Sequence, residues 1–377
     1  MQVHTGGRLD VSVLRDAAAF GALEGEWDEL YRHSPAASPF QSWAWLYSWW
    51  ESYGKDYDLR LVAVRADGVL VGLLPMMLER GRAFRKLLFV GTGLTDYNDV
   101  LARGGWEARV AEAAQWALWG MGGWSVVELQ ELRPAAAAWG LFHGWRGPKR
   151  SFRQSVSPTL EVKPWDELLA SVSKNLRAAA RKTLRKIEED GVRRQPAGSA
   201  GAENAAKRWV ALHRESWQGR DISPEHMTAE FESHLVKAAS RMVDRGLATI
   251  TEFWRDEEVI ISFLWVLGTD SIGVHLVGAT QEALRRYTVS SLFVWDGVRI
   301  ASERNSTYLD TLRGEEPYKL RWNPRMVPNH RVVLGRGRLF FGLYTGYRSL
   351  RATARGYARS EDTPRWLGTI LNRLRGG

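Results

Sequence analysis

The sequence predicts an α/β protein with mixed, α+β-type sheets, arranged as two similar halves and a basic C-terminal extension. The chain of 377 residues exceeds the length at which one hydrophobic core usually stops growing, so two domains are expected. Helical and strand-like periods alternate in the same coarse order in both halves. Of the formal net charge of +9, residues 331–377 carry +8, from ten Arg against Glu361 and Asp362. The predicted units are therefore residues 1–160, 161–330 and 331–377.

The composition excludes several classes of site. An apolar share of 45% and 19 Trp are typical of a globular protein with a large core. The chain has no Cys, which excludes disulfides, zinc-thiolate sites and cysteine nucleophiles. The eight His show no metal-binding spacing, so we expect no metal. Neither a Gly-x-Ser-x-Gly motif nor a glycine-rich nucleotide loop occurs.

The termini bear on location and partners. Residues 1–12 lack the pattern of a signal peptide, and the longest apolar run, residues 69–78, is half the length that spans a bilayer. We therefore expect a cytoplasmic protein. In the extension, Arg residues alternate with apolar ones such as Leu339 and Phe340, which is typical of a segment on an anionic membrane or an acidic partner. A docked helix with a solvated basic face gives the same pattern.

The first half contains helical and strand patterns in alternation. A helix is predicted from Ser38 to Gly54, because Ser38, Pro39 and Gln41 supply an N-cap, a proline at the first helical position and a capping-box partner. The turn at residues 66–68 joins two strands as a hairpin. The other predicted elements are strands at 59–65, 69–78, 86–90 and 125–129, and a helix at 106–119.

The second half changes from helical to strand-like periodicity. A helix capped by Ser173 has a basic outer surface, and residues 195–201 form a flexible linker. The predicted order is helices at 173–190, 203–217 and 224–244, strands at 247–254, 259–267 and 271–279, a helix at 288–303, and a strand at 307–312. The basic surface of residues 174–186 fits either a solvated face or a groove for an anionic partner such as tRNA.

Residues 306–322 carry the most specific motif in the chain. Their sequence is STYLDTLRGEEPYKLRW, in which a strand bearing Asp leads to Arg-Gly, a short acidic turn, and Tyr-Lys before Trp. This closely resembles the signature of the BioF2-like acetyltransferases, a FemAB-related family of the GNAT superfamily. Residues 38–54, the Asp-Tyr-Asn-Asp turn at 96–99 and the start of the basic helix are similar to the same family, so the resemblance covers roughly residues 35–325.

The resemblance implies two tandem GNAT-like halves and transfer of an acyl group to an amine. The donor would be acyl-CoA or, as in the FemAB-like branch, an aminoacyl-tRNA. An extended pantetheine arm can pair with a strand edge where two strands splay, and the pyrophosphate can sit at the next helix. The splay would lie between residues 271–279 and 307–312. The loop before the helix has no glycine, and side chains would then replace backbone amides around the phosphates: Arg285, Arg286, Thr288, Ser290 and Ser291.

Four residues are candidates for the chemistry. Amine acylation needs a base and donors for the tetrahedral oxyanion. Asp310 and His275 are the candidate bases, because both fall on the strands that should flank the acyl carbonyl. Lys319 and Arg313 would stabilise the carbonyl oxygen or bind phosphate. A core histidine, and a carboxylate that orients Arg313 or Lys319, are the alternatives for the two bases.

Asp96, Asp99 and Tyr318 are the candidates for binding the acceptor amine. An Asx-type turn would account for the two aspartates equally well. A GNAT fold that has lost catalysis and binds an anionic partner is the alternative to an enzyme.

Overall fold

The structure, a computed structural model, describes residues 8–80, 84–218 and 224–357. The first half forms twelve helices and strands in this order: β1 (Leu9–Leu14), α1 (Ala17–Ala22), α2 (Glu24–Arg32), α3 (Trp43–Tyr53), β2 (Tyr57–Ala66), β3 (Val69–Glu79), β4 (Lys86–Phe89), β5 (Leu101–Ala102), α4 (Glu107–Gly120), β6 (Val126–Leu132), α5 (Trp139–Gly144) and β7 (Lys149–Glu161).

The remainder of the described chain adds eight helices and six strands: α6 (Trp165–Ala170), α7 (Lys174–Glu189), β8 (Arg193–Pro196), α8 (Ala202–Ser216), α9 (Ala229–Asp244), β9 (Ala248–Arg255), β10 (Glu258–Leu267), β11 (Ser271–Ala279), α10 (Gln281–Arg286), α11 (Val289–Glu303), β12 (Tyr308–Asp310), α12 (Pro317–Leu320), β13 (Arg325–Gly335) and α13 (Arg338–Tyr357).

The mixed α/β fold is confirmed, and the described strands of both halves join in one sheet. Its order is β1-β2-β3-β4-β6-β13-β7-β12-β11-β10-β9-β8, and β5 pairs with β3. The long strand β7 pairs with β13 along most of its length and with β12 at residues 159–161. The expected boundaries at 160/161 and 330/331 thus fall inside β7 and β13. Residues 358–377 of the predicted extension lie outside the described residues.

Local signals predicted the first hairpin and the capping box at Ser38, but α3 itself begins at Trp43 with Ser42 as its N-cap. The backbone N–H and the hydroxyl of Ser38 both donate to Gln41 Oε1, at 2.9 and 2.8 Å, before a 3₁₀ turn (Pro39–Gln41) leads into α3. Asp67 and Gly68 have φ of 48° and 81°, as the tight turn between β2 and β3 requires. Helix α3 then packs against α9 of the second half, so one core cluster contains residues from both halves.

The second half opens the sheet at one point. Strands β9, β10 and β11 are antiparallel neighbours, and β12 runs parallel to β11. That parallel pairing covers Ser271 to Gly273 alone, after which the two strands part as the sequence predicted. Along β11, Leu276 is an extra residue at a register shift against β10 and has φ of 56°. A bulge of this kind turns the strand and re-aims its side chains.

None of the described helices is both long enough and apolar enough to cross a membrane.

Candidate active site

A cleft of about 510 Å³ lies where β11 and β12 part. Residues 274–277 of β11 form one wall, and the turn at 311–313 forms the other. The start of α11, the end of α8 and the short helix α12 complete the lining. Both walls contain a non-glycine residue in the left-handed region, Leu276 and Leu312, with φ of 56° and 57°. Such conformations cost free energy and persist when the surrounding structure holds them in place.

Asp96 and His275 form a buried hydrogen-bonded pair at the polar end of the cleft. His275 Nδ1 lies 2.9 Å from one Asp96 carboxylate oxygen, and Arg313 Nε lies 2.9 Å from the other. Burial alone would raise the pKa of Asp96, but the Arg313 guanidinium and the hydrogen bond with His275 hold it well below its usual range. Asp96 is therefore ionised and can only accept hydrogen bonds. Neutral His275 then carries its proton on Nδ1, which leaves Nε2 as a proton acceptor.

Aromatic side chains fix the ring of His275. Trp45 meets it edge to face, with centroids 5.1 Å apart and an interplanar angle of 90°. Phe40 lies 5.6 Å away in a similar orientation. Both residues belong to the first half, as does Asp96, so the imidazole on β11 is oriented from across the interface between the halves.

Arg313 is held between two carboxylates. Besides Asp96, its guanidinium contacts Glu131 at 3.2 Å. Glu131 is buried and also accepts a hydrogen bond of 2.5 Å from Ser155. Burial would lower the pKa of Arg313, but Asp96 and Glu131 raise it. The guanidinium is thus a permanent, oriented cation in the cleft wall.

Lys319 is a second buried cation in the lining. Its ammonium donates to the carbonyl oxygen of Arg313 at 2.8 Å and lies 2.9 Å from Glu316. The side chain is 7% exposed, and a buried ammonium needs such partners. Tyr318 beside it lies at the surface of the cleft, with its ring 6.0 Å from that of Phe293. The structure therefore brings together seven of the predicted site residues: Asp96, His275, Thr288, Ser290, Arg313, Tyr318 and Lys319.

Asp310 lies outside this cleft. It lines a separate cavity of about 90 Å³ and accepts a hydrogen bond of 2.6 Å from the Tyr97 hydroxyl. Its other oxygen accepts from the backbone N–H of Leu312 at 2.8 Å. Burial raises the pKa of Asp310 above its ordinary value. The geometry makes Asp310 a support for the turn at Leu312, and its hydrogen bonds go to Tyr97 and Leu312 instead of the expected Arg313 or Lys319.

Asp99 also faces away from the cleft. Its two oxygens accept three backbone hydrogen bonds of 2.8 to 2.9 Å, from Val100, Ala137 and Ala138. Asp99 therefore ties the loop after Tyr97 to the start of α5 and has no position from which to bind an acceptor in the cleft. Because two of these three bonds come from residues 137 and 138, Asp99 links two distant segments and does not simply close an Asx-type turn.

Only part of the predicted phosphate-binding loop lies in the cleft. Thr288 and Ser290 line the cleft, whereas Arg285, Arg286 and Ser291 do not. Arg286 forms a two-pronged ion pair with Asp190 at the end of α7. The backbone N–H of Thr288 donates to the hydroxyl of Thr183 at 3.1 Å. The guanidinium that we expected at the phosphate is therefore already engaged by a carboxylate outside the cleft.

Sequence reasoning missed two lining residues, His213 and Trp217. His213 Nδ1 lies 3.1 Å from the Val277 carbonyl oxygen, and its Nε2 lies 3.2 Å from His226 Nδ1. Burial lowers the pKa of His213 to about 4, so the ring is neutral at neutral pH. The sequence contained a signal for His213, because the apolar residues of α8 recur at helical spacing and place position 213 on the buried side of the helix. Within the described residues, no group of three or more His, Asp or Glu is placed to hold a metal ion.

Comparison with known proteins finds a family match within the second half. The model of the acetyltransferase (GNAT) domain matches residues 174–320, which include β11, β12 and the cleft between them. No curated protein sequence matches the chain.

Solved structures with similar folds span nearly the whole chain. FemX aligns with a TM-score of 0.60 and 10% identity, covering 85% of this chain and 97% of its own. L-PGS from Bacillus licheniformis aligns with a TM-score of 0.54 and 13% identity, covering 86% and 96%. The C-terminal DUF2156 domain of a protein assigned as a lysylphosphatidylglycerol synthetase, from Agrobacterium fabrum, has a TM-score of 0.52 at 10% identity, covering 88% and 96%. Residues 174–320 thus match the acetyltransferase (GNAT) domain, and the chain has the fold of FemX.

Proposed function

We propose that this acyltransferase moves an acyl group from acyl-CoA to an amine within the cleft between β11 and β12. The observation that carries the proposal is the parting of these strands after Gly273, which opens a cleft lined by His275 and Asp96. An extended thioester arm can lie along the part of β11 that β12 leaves uncovered. The reacting carbonyl would then stop beside the strand bulge at Leu276.

His275 is the proposed general base. The nucleophilic amine must lose a proton as it attacks, and an imidazole nitrogen is suited to accept one near neutral pH. With Nδ1 committed to Asp96, Nε2 is the nitrogen that accepts it. As the tetrahedral intermediate collapses, the C–S bond breaks and the CoA thiolate leaves, and the proton on Nε2 can return to it. Asp96 fixes the tautomer and stabilises the imidazolium that forms, as a carboxylate does for histidine in other acyl transfers.

Lys319 is the proposed donor to the developing oxyanion. Two of its ammonium protons are directed to the Arg313 carbonyl and to Glu316, and an ammonium has three. The third proton is available to an oxygen in the cleft, where low polarity strengthens the interaction. Arg313 supports this geometry by holding both Asp96 and, through its carbonyl, Lys319.

The residues fit an acyl-CoA donor at the thioester end and in part at the phosphate end. Thr288 and Ser290 line the cleft at the start of α11. The N-terminus of a helix favours an anion, because its free N–H groups and the helix dipole attract negative charge. Lys186 lies one turn along α7 from Thr183, the residue that contacts Thr288. In this proposal the phosphates are bound by these groups, without Arg286.

Aminoacyl-tRNA is the second candidate donor. One observation favours it: Arg286 is engaged by Asp190, while Lys174, Arg181, Lys182 and Arg185 stand exposed along α7. A polyanion could bind such a face through its phosphates. With either donor, the proposed acceptor is an amine.

Mass spectrometry of the purified protein separates the two donors. We expect retained CoA or a CoA thioester to dissociate on denaturation, and the His275→Asn protein to retain it as well. Retained RNA with no thioester would favour the second candidate. A protein that holds neither and releases no thiol from acetyl-CoA with any primary amine would contradict both.

A further inference from the structure

Helix α13 exposes a row of large apolar side chains that the fold does not use. Leu339 and Leu350 are 71% and 74% exposed, and Phe340 and Leu343 are each 55% exposed. Their spacing of three, four and seven places them on one side of the helix. Exposed apolar side chains that are scattered singly need no explanation, but a contiguous row marks an interaction surface.

The opposite side of α13 is the side that holds the helix to the protein. Tyr344 is buried, with its ring 5.3 Å from Phe84, and its hydroxyl donates to Glu128. Arg348, one turn further on, contacts Glu128 at 2.6 Å. At 3.6 residues per turn, Tyr344 and Arg348 lie on the side of the helix away from Leu343 and Leu350. The exposed row is therefore additional to the docking contacts.

The surroundings of this row are cationic. Arg338 in the first turn of α13 is exposed. Lys149 and Arg150 of β7 are exposed and pair in the sheet with residues 334 and 333 just before α13. The acidic residue at this surface, Glu128, is 2% exposed and is paired with Arg331 and Arg348. A partner that covers the row meets apolar and cationic groups together.

We propose that α13 binds the surface of an anionic lipid membrane, with Leu339, Phe340, Leu343 and Leu350 among the acyl chains. A 20-residue helix with apolar residues on one side and basic residues around them suits the interface between headgroups and chains. The helix, about 30 Å long, would lie along the membrane, and Arg338, Lys149 and Arg150 would contact lipid phosphates. The inference does not depend on the proposed acyl transfer.

Cosedimentation of the full chain with vesicles tests this proposal. We expect binding to vesicles of equal parts phosphatidylglycerol and phosphatidylcholine, and at least about tenfold weaker binding to phosphatidylcholine alone or in 0.5 M salt. The double substitution Leu343→Ser and Leu350→Ser should reduce the partition coefficient about tenfold or more. The circular dichroism spectrum and the melting temperature of this double variant should equal those of the wild type, because the side chains of Leu343 and Leu350 are exposed.

Trp116→Ser is the matched control, since Trp116 is 58% exposed on α4. Helix α4 packs on the sheet face that carries Val332 and Leu334, whereas α13 packs on the face of Val333. The control should therefore bind vesicles like the wild type. Absence of wild-type binding to the anionic vesicles, or equal binding by the double variant, would overturn the proposal. A dimer in light scattering that the double variant loses would assign the row to a second copy and overturn it as well.

Discussion

The substitution His275→Asn tests the proposed base with little disturbance of its neighbours. The asparagine amide can occupy the place of Nδ1 and keep the hydrogen bond to Asp96, which is 2.9 Å in the wild type. It offers no equivalent of Nε2. If Nε2 accepts the amine proton, kcat should fall by about 100-fold to 10,000-fold, or roughly 3 to 5 kcal/mol of transition-state stabilisation.

The accompanying loss of stability should be small. The ring contacts of His275 with Phe40 and Trp45 disappear, and aromatic pairs contribute about 0.5 to 1.5 kcal/mol each. A loss of about 1 to 3 kcal/mol lowers the melting temperature of a chain of this size by several degrees. The variant should therefore be folded at assay temperature.

The assay is thiol release from acetyl-CoA in the presence of a panel of primary amines. His143→Asn on the exposed end of α5 is the matched control and should keep the wild-type kcat. The donor KM should change less than about threefold in the His275 variant, because the base acts in the transition state. A His275→Asn enzyme with wild-type kcat would refute the base assignment. No thiol release by the wild type would instead count against the donor.

Four further predictions follow from the site. Lys319→Ala should lower kcat by about 100-fold with a small change in acceptor KM, because an oxyanion donor is lost; an unchanged kcat would exclude that role. Asp310→Asn should lower thermal stability and leave kcat within about tenfold of the wild type, because Asp310 supports the Leu312 turn from outside the cleft; a loss of about 100-fold or more in kcat with unchanged stability would favour the sequence-based hypothesis of a base. Arg286→Ala should leave the donor KM within about threefold of the wild type, since its guanidinium is held by Asp190; a tenfold rise would restore the predicted phosphate contact. Burial lowers the pKa of His213 from 6.5 to about 4. The free energy of unfolding should therefore fall by on the order of 3 kcal/mol as the pH drops from 6.5 to 4. In urea titrations, the free energy of unfolding of His213→Gln should depend less steeply on pH than that of the wild type.

The sequence predicted the parts of the fold that depend on local signals. The capping box could be predicted from Ser38 and Gln41, and the hairpin from the turn at Asp67 and Gly68. Caps and tight turns involve residues that are close in sequence. The boundaries at 160/161 and 330/331 could not be placed this way. Strand β13 enters the sheet between β6 and β7, and strand order is set by contacts between distant residues.

In the candidate site, too, local motifs could be predicted from the sequence and contacts between distant residues could not. The GNAT domain model matches residues 174–320, and the motif at residues 306–322 led to Arg313 and Lys319 in the cleft wall. The partnership of Asp96 with His275 crosses 179 positions and both halves, so no spacing rule could predict it. Arg286 was expected at the phosphate from its position before α11, but Asp190 ends α7 beside it and forms the ion pair.

The central claim is that the acyl donor occupies the cleft between β11 and β12 with its phosphates at the start of α11. Calorimetric titration of acetyl-CoA into the wild type, Ser290→Glu and the exposed control Arg304→Glu tests it most directly. The account predicts one site in the wild type, affinity reduced at least tenfold in Ser290→Glu, about 1.4 kcal/mol or more, and unchanged affinity in the control. Equal affinity in all three proteins, or no binding to the wild type, would contradict it.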